Sequence, residues 1–398
     1  MGSMKRIYIT TFLTCAAILV VLYGIGRALH FNTSMDTVNV GFIYESDESA
    51  PYTYNFSRAE VTLEEEMRDS ANILTKNNVP DDDVEEMLRE LVRDGCNIIF
   101  TNNHSELFAE LAPSFPDVQI CQISDMEKPP ADHPDNYHTF NGKLYEIRYV
   151  SGIAAGLKLK EMIDSGVISV DEAVVGYVAA FPVASVISGY TAFLVGVRSI
   201  VPQAVMKVQY TNTWTGYKEE KDCARDLINA GCVLLSQHSD TIGPAIACEE
   251  ASAEHPVVFI GCNKNLLDTA PRTALMSIRI NWAPYVINAV TAVKNHKKIE
   301  QYVDGDVHGN DVCAGYAENA LEILDLNMNL APEGTEEAIE SATETVKKDP
   351  AAAFRGDYTG VNPDDPSDTI DLKDGYIENA DSSAPSFYYI LQDVIQIQ

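Results

Sequence analysis

Side chains suited to gripping a flat, hydrogen-bonding molecule recur in this sequence just after short apolar runs. Tyr52 and Tyr54 follow VNVGFIY (38–44), Asn102 follows NIIFT (97–101), and Phe181 follows VVGYVAA (174–180). Trp214 comes after AVMKVQY (204–210), His238 and Asp240 after VLLS (233–236), and Asn263 after VVFIG (257–261). Aromatic faces stack on planar rings, each stack being worth about 1–3 kcal/mol in nucleic-acid complexes. Amide and carboxylate groups supply the paired donors and acceptors that a heterocycle's edge presents, and a buried polar group left unpaired penalises a wrong ligand. Each residue also has a plainer use. Tyr52 and Tyr54 suit an exposed loop, Trp214 the packing between a helix and a sheet, His238 a structural position, Asp240 the N-cap of a following helix, and Trp282 either the site or a hinge crossover.

Signatures of catalysis and metal binding are missing. The chain has no G-x-S-x-G, H-E-x-x-H, Walker A or G-x-G-x-x-G sequence. An acid–base pair of Asp240 and His238, as in a nucleoside hydrolase, would need both within hydrogen-bond reach of a substrate atom. DGDVHGND (304–311) has histidine where a calcium loop needs its fifth ligand and no glutamate at the twelfth position, so it reads as a polar turn. His133 and His138 fall in a stretch rich in Pro, Asp and Asn and are expected to be exposed. Acidic TLEEE (62–66) and DDDVEE (81–86) read as solvated first turns of helices, which the helix dipole favours. No cofactor and no metal are expected, and the reading is a binding protein rather than an enzyme.

The elements that must position these residues are alternating strands and helices. Helices are expected over 60–77, 185–199 and 218–230, and another after VLLS runs to residue 253. Continuous apolar strands between amphipathic helices imply mostly parallel sheets covered on both faces, an α/β architecture. At least seven such units exceed the usual size of one sheet, so two sheets are expected, with the site in the cleft where their carboxyl ends meet. The chain carries 59 acidic against 28 basic residues, a net charge of -31, which excludes nucleic acid as a partner. Its eight cysteines are scattered and form no C-x-x-C pair, which disfavours a disulfide scaffold or zinc ribbon.

Lys5 and Arg6 precede an uncharged stretch, Ile7 to Gly26, that Arg27 closes. As a helix it would reach about 30 Å, the thickness of a hydrocarbon core. The leading basic pair favours a cytoplasmic N-terminus with export of all that follows. Residues 1–35 are therefore read as a membrane anchor or signal sequence, with Gly24 and Gly26 as the cleavage alternative. Residues 36–398 are read as one extracytoplasmic, bilobal, monomeric domain whose lobes interleave in sequence. Cys15 lies inside the apolar stretch, which argues against lipid attachment.

Four passages carry a resemblance. NGKLYEIRYVSGIAAGLKLK (141–160) is similar to a tyrosine and small-residue helix after a third strand, and VVGYVAAFPVASVISGYTAFLVGVRSIVP (174–202) to a strand, G-x-x-x-x-P and aromatic-x-x-G-x-x-x-G. YTNTWTGY (210–217) with GCVLLSQHSD (231–240) resembles N-T-W and Q-H-x-D motifs, and 257–282 resembles a strand, polar loop and L-x-S…W ending. Together, over roughly residues 38–365 and including FRGDYTG (354–360), they resemble the basic membrane protein family, substrate-binding proteins of ABC-type nucleoside importers. The resemblance implies a type I periplasmic-binding-protein fold. It also implies a purine base, nucleoside or similar flat heterocycle as ligand, bound by hinge closure, and an ABC permease as partner. A membrane-anchored sensory ectodomain with a signalling partner is the alternative. Tyr54-Asn55-Phe56 stands where the family has Phe-Asn, which adds Asn55 to the candidate contacts. Asn263-Lys264 stands where the family has an acidic pair that grips ribose, so a free base becomes a candidate ligand. An aspartate restored at 263 would have Lys264 beside it as an ion-pair partner.

Overall fold

Residues Val38–Ile43 (β1) are β-branched or aromatic at most positions and nearly all buried, as an interior strand of a sheet covered on both faces must be. The computed structural model describes residues 35–124 and 134–397. The predicted membrane segment and His133 lie outside these residues. From β1 the chain runs through α1 (Pro51–Glu66), β2 (Ala71–Lys76), α2 (Val84–Arg93), β3 (Ile98–Thr101), α3 (Leu107–Leu111), β4 (Gln119–Ile123) and β5 (Tyr137–Gly142). It then crosses to a second sheet through α4 (Leu144–Asp164) and continues as β6 (Val174–Ala179), α5 (Ala184–Ile200), β7 (Val205–Tyr210) and α6 (Tyr217–Asn229). Next come β8 (Leu234–His238), α7 (Gly243–Ala251), β9 (Val258–Cys262) and β10 (Ala274–Ile280). A second crossing at Trp282 leads through α8 (Ala283–Lys294) to β11 (Asp306–His308) and β12 (Asp311–Ala314), and a third returns to β13 (Leu321–Leu324).

The first sheet has the order β11-β12-β5-β4-β3-β1-β2. The second runs β13-β10-β9-β8-β6-β7, and its far edge is completed by β17 (Ile395–Ile397) at the end of the described chain. Pairing within these two sheets is parallel except for the β11–β12 and β10–β13 ladders. A small antiparallel third sheet is formed by β14 (Thr359–Val361), β15 (Thr369–Asp371) and β16 (Ile390–Leu391). This is the expected two-lobed α/β fold, with the chain passing between lobes three times by the start of β13.

Three local expectations are corrected. Acidic TLEEE (62–66) forms the last turn of a helix and not a first one. The first helix occupies 51–66 rather than 60–77, because Pro51 sits in its first turn, where a missing N–H costs nothing. The remainder of that stretch, ANILTK, is the edge strand β2, whose half-exposed, partly polar face lacks the strong apolar character of the inner strands. His138 lies in β5 and is 3% exposed, so it is a buried strand residue and not part of a loop.

Two close approaches fix the packing, one between crossovers and one between two helices of the second lobe. A Cβ on Gly142, at the end of β5, would come within 2.7 Å of the Ile280 side chain at the end of β10, so the first two crossovers touch and leave room only for glycine. Gly152 on α4 and Gly196 on α5 each lie against the other helix's backbone carbonyls, which any side chain would push apart. In the first lobe Phe42 packs 5.4 Å from Phe100 and 6.2 Å from Phe56, all three fully buried. Truncating Phe56 to alanine would cost about 3–5 kcal/mol. Among the described residues no helix is long and apolar enough to cross a membrane.

Candidate functional site

The carboxyl ends of both sheets face one cleft, whose empty volume with its open mouth is about 1080 Å³. Tyr52, Trp214, His238, Asp240 and Asn263 line it. Tyr54, Asn55, Asn102 and Phe181 do not line it. Each of the four has a place one layer away.

Tyr52 and Tyr54 sit in the first turn of α1, not in a loop, and two residues of helix turn them to different sides. Tyr52 stacks on His104, ring centroids 6.3 Å apart and planes 20° from parallel, whereas Tyr54 carries the Lys264 ammonium 4.8 Å above its ring. Asn55 donates from its amide to the Ile280 carbonyl at 3.0 Å, tying α1 to the second crossover. Asn102 accepts from the Glu45 N–H and donates to the Thr53 hydroxyl, both at 3.1 Å, and so fixes two residues that do line the cavity. Phe181 packs behind Trp214 at 5.6 Å.

Asp240 does not cap α7, which begins at Gly243 after Ile242 with no side-chain cap. Its Oδ1 accepts the N–H of Tyr52 at 2.6 Å, across the cleft, while its own N–H donates to the Trp214 carbonyl at 2.7 Å. The first N–H groups of a helix have no partner of their own and carry the positive end of its dipole. A carboxylate of the second lobe therefore satisfies the N-terminus of a helix in the first, and the structure is a closed one. Burial raises the Asp240 carboxyl well above its usual range; the Tyr52 N–H pulls the other way, and the nearby Glu220 and Glu45 push it higher.

His238 ends β8 with its Nδ1 unpartnered and packed beside Gly189 of α5. Burial, then the Arg148 guanidinium, holds its pKa well below the ordinary histidine value, so the ring is neutral at physiological pH. Arg148 is fully buried on α4 within 3.4 Å of Ser236 Oγ and Cys262 Sγ, and it lies over the Tyr177 ring. No carboxylate pairs with it among the described residues. Asn263 follows β9 with φ of 64°, a left-handed conformation that asparagine tolerates, and its side chain lies near Asp240, where it favours the ionised carboxylate.

Among the described residues the cavity wall includes Glu45, Asp240 and Glu378 but no lysine or arginine. A family model described as ABC transporter substrate-binding protein PnrA-like matches residues 38–348. The chain belongs to this family. Membership makes it a small-molecule-binding protein that works with an ABC transporter on the extracytoplasmic side. The purine-binding protein of Brucella abortus is 27% identical over 275 residues, 68% of this chain and 72% of that one. The fold is shared with an ABC transporter solute-binding protein from Conexibacter woesei (TM-score 0.59, 16% identity, 78% of this chain and 97% of that one). It is shared equally with a transcriptional activator from Bacillus halodurans (TM-score 0.60, 17% identity, 78% and 98%). The match ends before FRGDYTG, which in this PnrA-like protein forms a turn and the short strand β14 (Thr359–Val361).

Several lining residues escaped the sequence reading of this PnrA-like receptor. Glu45 and Ser46 follow β1 directly, and the rule that points to strand ends would have found them. Trp282 takes both of its candidate places: it is the N-cap residue of α8 at a crossover, and it lines the cavity, edge-on to Phe56 and Phe140. Glu378 and Asn379, from beyond the matched region, carried no local signal at all.

Proposed function

We propose that this protein is a receptor that closes its lobes around a purine base or nucleoside and delivers it to an ABC-type importer. The observation that carries the reading is an aromatic side chain from each lobe, Tyr52 and Trp214, in one cavity whose other walls hold amide, hydroxyl, imidazole and carboxylate groups. Planar aromatic rings take stacking from such faces, and their ring nitrogens and exocyclic groups take the hydrogen bonds. Kinship with a protein named for purine binding supports it. Asp240 is engaged by the Tyr52 amide, which favours a latch over an acid–base pair with His238.

Calorimetric titration of the full chain in detergent with bases, nucleosides, nucleoside monophosphates and glucose tests the reading. A base or nucleoside should bind, and each monophosphate should bind about a hundredfold more weakly or worse, because its charge would meet carboxylates with no cation beside them. Binding of glucose with none of any purine would overturn the proposal.

A further inference from the structure

The segment after Lys348 lies outside the family match, yet it forms part of the cavity wall. It is built to bridge the lobes. On the first-lobe side, the Ser383 N–H donates to Asp311 Oδ2 at 2.7 Å, the Ser382 hydroxyl donates to the same oxygen at 3.1 Å, and the Ser383 and Ser124 hydroxyls are in contact. On the second-lobe side, β17 pairs in parallel with β7, and Asp393 forms an ion pair with the nearly buried Arg198 at 2.7 Å. Between the two anchorages Phe387 stacks on Phe354 at 4.7 Å, and the Asn379 amide, in left-handed backbone with φ of 57°, donates to the carbonyls of Ser382, Ser383 and Ala384.

This clasp presents Glu378 to the cavity. The residue is 3% exposed, and its two oxygens accept the N–H groups of Ser386 at 2.8 Å and Phe387 at 2.9 Å. Ser188 of α5 lines the cavity beside it. Each carboxylate oxygen accepts two hydrogen bonds, so both keep one site free after the backbone contacts. The group is held rigid by its own segment, and a carboxylate is an acceptor only. It matches a ligand edge that offers two adjacent N–H donors, a pairing that is charge-assisted and bidentate.

Resting on the purine-receptor reading, we infer that the C-terminal clasp is a third wall of the binding site and that Glu378 selects ligands with adjacent N–H donors, as in the N1–H and 2-amino edge of guanine. Hypoxanthine lacks the amino group, and xanthine has a carbonyl oxygen in its place, facing the carboxylate.

The test is calorimetry at pH 8, where Glu378 is ionised, on the full chain with guanine, hypoxanthine and xanthine, for wild type and Glu378→Gln, with the ligand-free melting temperature of each. Wild type should prefer guanine over hypoxanthine by roughly tenfold to a hundredfold, the worth of one charge-assisted hydrogen bond, and xanthine should rank last. Glu378→Gln should lose most of that preference by weakening guanine alone. A wild type that binds the three bases equally overturns the inference without need of the variant and leaves the purine reading standing. A folded Glu378→Gln that keeps the wild-type ranking also overturns it and reduces Glu378 to a brace for residues 386 and 387. A wild type that binds no purine overturns both readings together.

Discussion

Buried His138 and Asn136 at the amino ends of the strands are well partnered, whereas near the carboxyl ends some buried polar side chains, such as Asn102, are bonded and others are not. At the amino ends His138 has Glu300 Oε1 at 2.5 Å from Nδ1 and Gln119 Oε1 at 2.8 Å from Nε2, and the Asn136 amide donates to three carbonyls within 2.9 Å. At the carboxyl ends His238 leaves Nδ1 without a partner, Asn55 leaves Oδ1, and Trp282 leaves Nε1. Unpaired buried polar atoms cost about 1–3 kcal/mol each, so a structure tolerates them where another requirement outweighs that cost. The two histidines show the same division electrostatically: one faces a carboxylate, the other a guanidinium. Well-partnered polar groups hold the fold at the amino ends, and these three unpaired atoms stand at the end that opens onto the cavity.

The largest effect that would sharpen this contrast is on stability. His138→Ala leaves the half-buried Glu300 without its partner and should cost about 3 kcal/mol by denaturant unfolding, with ligand affinity unchanged once the protein is folded. If affinity falls instead, the amino end is not merely structural. Asp240→Ala removes the carboxylate that joins the lobes, and affinity should drop by about 1.5–3 kcal/mol while unfolding is much less affected. Asp240→Asn, which keeps an acceptor for Tyr52, should recover part of it. Wild-type affinity in the alanine variant would show that closure does not depend on this contact.

Trp214→Ala should weaken purine binding by about 1–3 kcal/mol if the indole stacks on the base, and full affinity in a folded variant would reassign it to packing against Phe181. A smaller effect concerns pH. Burial pushes Glu146, Glu220 and Glu378 each to about 7 in the folded protein. The folded state then binds their protons more tightly than the unfolded chain, so these groups favour folding at low pH and lose that contribution as pH rises toward and through 7. Between pH 8 and pH 6 each should add about 1 kcal/mol of stability. Glu220→Gln should remove its share of that slope, and an unchanged slope in this variant would mean that Glu220 is already ionised across the range.

The smallest effect is expected at Asn263→Asp. Lys264 is turned to the Tyr54 ring, and the new carboxylate would have Asp240 as a neighbour, whose pKa Asn263 already influences. Repulsion between the two acids should offset any gain in gripping ribose, and the nucleoside-to-base affinity ratio should change by less than about threefold. A shift of tenfold or more toward nucleosides would show that position 263 faces ribose after all.

Much of the architecture is legible in local sequence, because a short β-branched run and an amphipathic repeat state their own burial. β1, β3 and β6 to β9 all fall within a residue or two of the apolar runs, and residues after them surround the cleft. β2 was not legible, since an edge strand half open to solvent lacks the continuous apolar run of the inner ones. His138 was misplaced for a related reason: its burial depends on Glu300, 162 residues away, and no property of the surrounding Pro, Asp and Asn residues reports that partner.

Within the site the division is finer. The chain sequence by itself determined that aromatic and polar side chains would stand at strand ends, because strand ends follow from local hydrophobicity. Only the tertiary structure decided which of them meet. Tyr52 rather than Tyr54 faces the cavity because the turn containing them is helical. Asp240 reaches Tyr52 across 188 residues because two sheets close on each other, and Glu378 enters because the C-terminal segment crosses both lobes. Contacts between segments so far apart are set by how whole layers pack, and that packing energy is shared among hundreds of residues and written in none of them singly.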